Sequence, residues 1–376
     1  MRLTDDQRAL ADTAAGFAAE CLAPHAVAWD QEKYFPVDVL RKAAGLGLGG
    51  VYVAEEHGGS GLGRLDAALV FEALAGGCPS IAAYISIHNM VAWLIDRHGD
   101  DAQRARYLPG LCAMDALGSY CLTEPGAGSD AAALTTRARR DGGDWVLDGV
   151  KQFISGAGVA EVYVVFARTG GPGAGGISAF LVELGTPGLS FGPNEKKMGW
   201  NAQPTRQVVL DSARGELLGA EGGGFRLAMA ALDGGRLNIG ACSLGGAQAA
   251  LDRAVTYLRD RRAFGLPLAD AQALRFQVAD AHTQLEAARL LLWQAADALD
   301  QGATGAVALC AMAKRLATDT GFDVANTALQ LHGGYGYLTE TGIEKIVRDL
   351  RVHQILEGTN EIMRVVIARD ILGAAA

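Results

Sequence analysis

The spacing of apolar positions changes twice along the chain. In residues 1–115 apolar side chains recur at helical intervals. Leu10, Ala14, Phe17 and Ala18 follow Thr4 and Gln7, which are spaced as a capping box. IAAYISIHNMVAWLID has the apolar density of a buried helix. From 116 to 225 the period is that of strands. TTRARRDGGDWVLDGVKQFIS predicts strand, turn, strand, with the turn at Asp141-Gly142-Gly143. VYVVFART, ISAFLVEL and TRQVVLDS predict further strands, rich in Val, Ile and Phe and separated by Gly and Pro. From 226 to 376 helical spacing returns in long runs: Phe225 to Arg259, Asp270 to Leu299, Ala303 to Leu331, and a last pair flanking LEGTNEIMR. The chain is thus expected to be α+β and multidomain, with an N-terminal helical domain (1–115), a central β domain (116–225) and a C-terminal helical bundle (226–376). A helix of roughly 30 residues is about 45 Å long, more than a lone domain needs, so an oligomer is expected.

Composition narrows the function. Half the residues are hydrophobic and 20% are charged, which suits a large folded core. A net charge of −9 argues against nucleic acid or an anionic membrane surface as the main partner, while leaving room for an anionic ligand held by local arginines. No uncharged apolar stretch reaches the roughly 18 residues of a membrane span, so no membrane insertion is expected. MRLTDDQRAL places acids where a secretion signal has its apolar segment, so a cytoplasmic location is expected, or the mitochondrial matrix for a processed form. The six cysteines (Cys21, Cys78, Cys112, Cys121, Cys242, Cys310) include no C-x-x-C pair and are expected as buried free thiols in a reducing compartment.

Some motifs mislead. Gly45 to Gly50 formally matches G-x-G-x-x-G, but a helical pattern precedes it where a dinucleotide fingerprint needs a strand, so a glycine helix stop is expected. GGPGAGG (170–176) lacks the Lys-Ser/Thr of a phosphate loop and is expected in a hairpin. His353 and Glu357 are spaced as metal ligands on a helix, yet no second histidine is near in sequence, and no metal is expected. No G-x-S-x-G occurs, which leaves a serine hydrolase without support.

Five other segments carry chemistry. YCLTEPGAGSD (120–130) offers the hydroxyls of Thr123 and Ser129, with Gly126 and Gly128 allowing backbone N–H groups close to a ligand; a plain polar loop is the alternative. KQFIS (151–155) puts an aromatic beside a hydroxyl, where Phe153 could cover a flat ring or simply sit in the core. Arg261 and Phe264 close a long helix, and the arginine suits either a pyrophosphate or the helix dipole. LQLHGGYGYL (329–338) holds Gly333 and Gly334 where a ligand or a helix cap would want them. LEGTNEIMR (356–364) sets Glu357 between Leu356 and Gly358, just ahead of a helix.

Together and in this order, these segments resemble the acyl-CoA dehydrogenase family along almost the whole chain. These flavoproteins oxidise acyl-CoA thioesters to 2,3-enoyl-CoA. AYISIHNMVAWLID, ISGAGVAEVYVVFARTGGPG, KKMGWNAQPTR, GGRLNIGACSLG and RVHQILEGTNEIMR are most similar to the branch acting on isobutyryl-CoA in valine breakdown. The resemblance implies a helical domain, a β domain and a four-helix C-terminal bundle, assembled as a homotetramer. It implies FAD as cofactor, electron-transfer flavoprotein as acceptor, and Glu357 as the base that takes the α proton while the β hydride goes to the flavin. It places flavin contacts at Tyr120, Leu122, Thr123, Ser129, Phe153, Ile154 and Ser155. Adenosine diphosphate contacts fall at Arg261, Phe264, Gln272, Gln330, Gly333 and Gly334, with Thr359 and Glu361 completing the cofactor set. Acyl-CoA contacts fall at Ser129, Asp233, Arg236, Gly358 and Arg369. Some relatives carry the base on another helix; that slot is Gly235 here and cannot serve. A 2-methylbutyryl or straight short-chain substrate is the alternative within the family, and a non-catalytic flavin- or CoA-binding scaffold the alternative outside it.

Overall fold

The computed structural model describes residues 2–373. Thr4 caps the first helix as its spacing predicts. Its side chain accepts from the Gln7 N–H and Gln7 Oε1 accepts from the Thr4 N–H, both at 3.1 Å. α1 (Asp5–Phe17) continues into a π-turn (Ala18–Leu22), then α2 (Ala26–Glu32), α3 (Val37–Ala44), α4 (Arg64–Gly77), α5 (Pro79–His98) and α6 (Asp101–Cys112). Proline at the first position of α5 starts that helix without losing a hydrogen bond. The apolar density of α5 is explained by burial on nearly every side, from Ile81 to Ile95. The glycine string after α3 ends a helix: Gly47 takes φ +80°, and no strand leads into it.

The central strands are β1 (Gly118–Cys121), β2 (Arg137–Asp141), β3 (Asp144–Ser155), β4 (Val162–Arg168), β5 (Ile177–Glu183), β6 (Leu189–Phe191) and β7 (Thr205–Leu218). β2 and β3 form the expected hairpin, with one adjustment. Asp141 pairs with Asp144, so the turn proper is Gly142-Gly143. GGPGAGG lies in the loop between antiparallel β4 and β5. β5 pairs with both β7 and β4, so the sheet closes on itself, and β1 adds to β4 in parallel. Closure pairs β2, β3, β4, β5 and β7 on both sides and leaves only β1 and β6 as edge strands. Tyr163, Phe166 and Phe180 are fully buried there.

α7 (Gly224–Asp260) has 37 residues and so runs about 55 Å. A short hairpin links it to α8 (Gln272–Asp300), followed by α9 (Ala306–Leu331), α10 (Ile343–Arg351) and α11 (Asn360–Leu372). Small residues let α7 approach its neighbours. A Cβ on Gly240 would come 2.5 Å from Leu292 of α8, and one on Gly245 would come 1.9 Å from the Glu72 carbonyl of α4. α7 therefore joins the first helical region to the last, and carries Asp233, Gly235 and Arg236 between them. All six cysteines are free and five are buried. Among the described residues no helix is long and apolar enough to cross a membrane, and no cluster of His, Cys, Asp and Glu could hold a metal ion.

Candidate active site

Glu357 sits in the turn between α10 and α11. A short helical turn (Val352–Gln354) follows α10, then Glu357 and Gly358 take φ +54° and +91°. Left-handed backbone costs a residue with a side chain about 1–2 kcal/mol, so something must hold Glu357 there. Thr359 starts α11 by accepting from the Ile362 N–H at 3.3 Å. Lys314 of α9 donates to the Gly358 carbonyl at 2.8 Å and to Asn360 Oδ1 at 2.9 Å.

The carboxylate points at α7. A Cβ on Gly235 would lie 2.2 Å from Glu357 Oε2, so only glycine leaves room for the acid. Oε2 is buried and has no hydrogen-bond partner among the described residues. Burial pushes the Glu357 pKa up to about 7, with the charges of Lys314 and Arg236 pulling against it. Arg236 is itself buried and bonded to Asp233 one helical turn earlier. Arg64 of α4 lies on the other side of that turn, where a Cβ on Gly234 would come 2.2 Å from its Nη1. Its guanidinium stacks over Tyr52 and Trp93 at 4.0 and 4.9 Å.

The segments carrying Tyr120, Leu122 and Thr123 and Phe153, Ile154 and Ser155 are brought side by side. The Thr123 carbonyl accepts from the Gln152 N–H at 2.8 Å, and Ser119 Oγ donates to the Ser155 carbonyl at 2.7 Å. β3 breaks register with β7 between Lys151 and Ile154, a bulge on which Phe153 takes φ +59° and stays 64% exposed. Bulges re-aim side chains in this way, and here one turns an aromatic face outward instead of into the core. Buried Lys151 binds Glu124 Oε1 at 2.8 Å and the Leu122 carbonyl at 3.0 Å. Glu124 also accepts from the N–H groups of Thr135 and Thr136. Burial alone would raise the Glu124 pKa, but Lys151 and these hydrogen bonds overcome it and hold it near about 2. Tyr120 reaches across to the Ala228 carbonyl of α7 at 3.2 Å and feels the charge of Glu357. Ser129, Gly126 and Gly128 are exposed in this loop, and a Cβ added at either glycine would meet nothing within 4 Å beyond its chain neighbours.

A second concavity, about 680 Å³, gathers Arg261, Gln330, Gly333 and Gly334 with Tyr257, His332 and Tyr335. A guanidinium beside two glycine N–H groups suits a pyrophosphate. Gln272 begins α8 at the edge of this region, and Phe264 is wholly exposed at the hairpin tip. Glu361 is exposed on the first turn of α11 and near Arg364. Arg369 lies at the other end of α11, about 14 Å along the axis from Asn360, and is exposed. His353, the other half of the metal spacing, is fully buried. It bonds to Ser243 Oγ at 2.7 Å and receives the Trp200 indole N–H at 3.2 Å, and burial lowers its pKa to about 3.

Sequence reasoning missed Lys314, Arg64 and the Glu124–Lys151 pair. The signal for Lys314 was present, since it falls on the stripe of α9 that buries Cys310, Ala317, Gly321 and Val324.

Comparisons with known proteins cover nearly the whole chain. Residues 4–115, 119–213 and 222–372 match the family models for the acyl-CoA dehydrogenase N-terminal, middle and C-terminal domains. The sequence is 53% identical to the mitochondrial isobutyryl-CoA dehydrogenase of Bos taurus over 375 residues, 99% of this chain and 90% of that protein. Butyryl-CoA dehydrogenase of Megasphaera elsdenii superposes with a TM-score of 0.95 at 38% identity, over 99% of both chains. A chain solved in work on the electron transferring flavoprotein of Acidaminococcus fermentans gives 0.97 at 38% identity, over 100% of both.

Proposed function

The chain belongs to the acyl-CoA dehydrogenase family, and on that premise we propose that it dehydrogenates isobutyryl-CoA to methacrylyl-CoA with Glu357 as the base. The observation carrying the mechanism is the Glu357 carboxylate: partly buried, without a hydrogen-bond partner on Oε2 among the described residues, and with a pKa raised to about 7 by burial. The enzyme is an oxidoreductase and a flavoprotein. FAD, when bound, supplies the two-electron acceptor. The residues fit it: Phe153 offers an outward aromatic face, Gly126 and Gly128 leave backbone open, and Arg261 with Gly333 and Gly334 lines a cavity suited to a pyrophosphate.

The α C–H of a thioester is only modestly acidic, so the base must be held against it with water excluded. Glu357 at a pKa near neutrality is ionised often enough to act and basic enough to take the proton. Leu356 packs against the core and shields the turn, and Gly358 allows close approach. Asp233 and Arg236 would orient the CoA chain from α7, with Ser129 at the loop mouth. The isobutyryl preference rests on similarity to the Bos taurus enzyme. One methylene in an apolar site is worth about 1–3 kcal/mol, so related short thioesters should react more slowly instead of being refused.

Electrons would pass to electron-transfer flavoprotein, and the subunits would form a homotetramer. Exposed Phe264, Phe276, Tyr337 and Leu338 beside the Arg261 cavity support a neighbouring subunit there. The test is anaerobic mixing of the yellow enzyme with isobutyryl-, butyryl- and 2-methylbutyryl-CoA. Flavin bleaching fastest with isobutyryl-CoA, and absent in Glu357→Gln with FAD still bound, is the expected result. Bleaching fastest with another thioester overturns the substrate; a Glu357→Gln variant that still bleaches overturns the base.

A further inference from the structure

Lys314 is 0% exposed in the middle of α9, and among the described residues its hydrogen-bond partners are neutral. A buried ammonium without a carboxylate partner costs several kcal/mol, and methionine would pack the same stripe without that cost. Its partners indicate what the charge is for. The Gly358 carbonyl and the Asn360 side chain belong to the residues that immediately follow Glu357. Asn360 in turn donates to Thr318 Oγ1 at 2.9 Å and to Asp319 Oδ1 at 2.7 Å. On the other side of the turn, Gln354 donates to the same Asp319 oxygen at 2.8 Å. α9 thus grips the Glu357 turn from before and after.

We propose that Lys314 is a positioning residue for the base: it anchors Gly358 and Asn360, fixes the left-handed Glu357–Gly358 turn against Gly235, and supplies a positive charge beside the carboxylate. The inference rests on Glu357 being the base. Charged and titratable groups around the pair come from each neighbouring element. Glu357 is faced by Lys314 from α9 and Arg236 from α7, and its charge reaches Cys242 on α7 and Tyr120 on β1. Lys314 is faced by Glu357, Arg236, Asp319 and Glu361, and its charge reaches His353. Removing the lysine charge removes an attraction for the ionised Glu357, so the pH at which the base becomes active must rise.

The experiment uses the full-length, FAD-loaded enzyme as wild type, Lys314→Met, Lys314→Gln, Lys314→Arg and Thr318→Val. It measures kcat and KM for isobutyryl-CoA from pH 6 to 9.5, bound FAD and melting temperature. The neutral Lys314 variants are expected to keep FAD and KM and to lose kcat by about 100-fold, the scale of a misplaced reacting group. Their acid limb is expected to move up by about one pH unit, while Lys314→Arg leaves it in place. Thr318→Val loosens Asn360 but keeps the charge, so kcat is expected to fall with no shift of the limb. An unmoved limb with kcat within about twofold in Lys314→Gln overturns the proposal. If no Lys314 variant folds, Thr318→Val decides, and unchanged kcat there overturns it. A wild type inert towards all three thioesters sinks the reaction and this inference with it; an active wild type with indifferent variants sinks the lysine's role alone.

Discussion

Replacing Glu357 with glutamine is expected to stabilise the protein while abolishing turnover. Glutamine keeps the shape and loses the charge. Burial raises the Glu357 pKa from 4.5 to about 7. At about 1.36 kcal/mol per unit, the ionised acid weakens the fold by roughly 3 kcal/mol above pH 7. Part of this gain is taken back in the variant. Glu357 pulls the Lys314 pKa upward against the burial that lowers it to about 8, so a neutral neighbour leaves the lysine less comfortable. A net gain of about 2 kcal/mol remains. With an unfolding entropy of about 2.1 cal/mol/K per residue over 376 residues, that is a rise of 2–3 °C in melting temperature.

The pH dependence is the sharper test. The folded pKa is raised, so the stability that protonated Glu357 allows is fully present below pH 4.5 and is lost as pH rises through about 7. Wild type and variant should therefore melt together near pH 4.5 and separate progressively up to pH 8, the variant higher. Thermal melts of both FAD-loaded proteins across that range, at fixed FAD and protein concentration, decide it. A difference that is constant with pH, or a variant less stable at pH 8, refutes the claim that the carboxylate is held without compensating partners.

Two further substitutions probe the same architecture. Gly235→Ala should displace Glu357 Oε2, which a Cβ would approach to 2.2 Å, and lower kcat by about 100-fold with FAD retained; stopped-flow bleaching at near-normal rates would contradict the packing. Lys151→Met leaves Glu124 buried without its counter-charge, which should cost about 3–5 kcal/mol, lower the melting temperature by several degrees and release FAD on dilution; absorbance of the dialysed protein reads the last effect.

Much of the fold was legible because periodicity is local. The capping box at Thr4 and Gln7, the glycine stop after α3, the Gly142-Gly143 hairpin and the long helices all follow from short-range pattern. Closure of the sheet was not legible, since β1 lies parallel to the non-adjacent β4 and β5 bridges two strands. The candidate site divides in the same way. Resemblance pointed to Glu357, Phe153 and Arg261. Nothing local revealed that β3 bulges at Phe153 or that Glu124 and Lys151 tie two motifs together. A buried cation reads as a flaw in an apolar stripe until the partner it serves is seen, and Lys314 serves residues more than forty positions away.

With Glu357 as the proposed base, the arrangement around it answers a conflict in what a carboxylate base requires. Burial alone would leave it protonated at neutral pH, while a close ion pair would make it too weak a base. Two cations stand near, and each is committed elsewhere: Arg236 to Asp233, and Lys314 to the Gly358 carbonyl and Asn360. They moderate the effect of burial without forming a hydrogen bond to Oε2. The pKa settles near neutrality because the two charges are close but already occupied. Gly235 contributes by absence, since any side chain there would fill the space the carboxylate needs. On the proposal that Glu357 is the base, the left-handed backbone at Glu357, the cost of burying Lys314 and the lost stability of an acid without a partner on Oε2 among the described residues share one cause, a carboxylate held ready in a place where the fold alone would not put one.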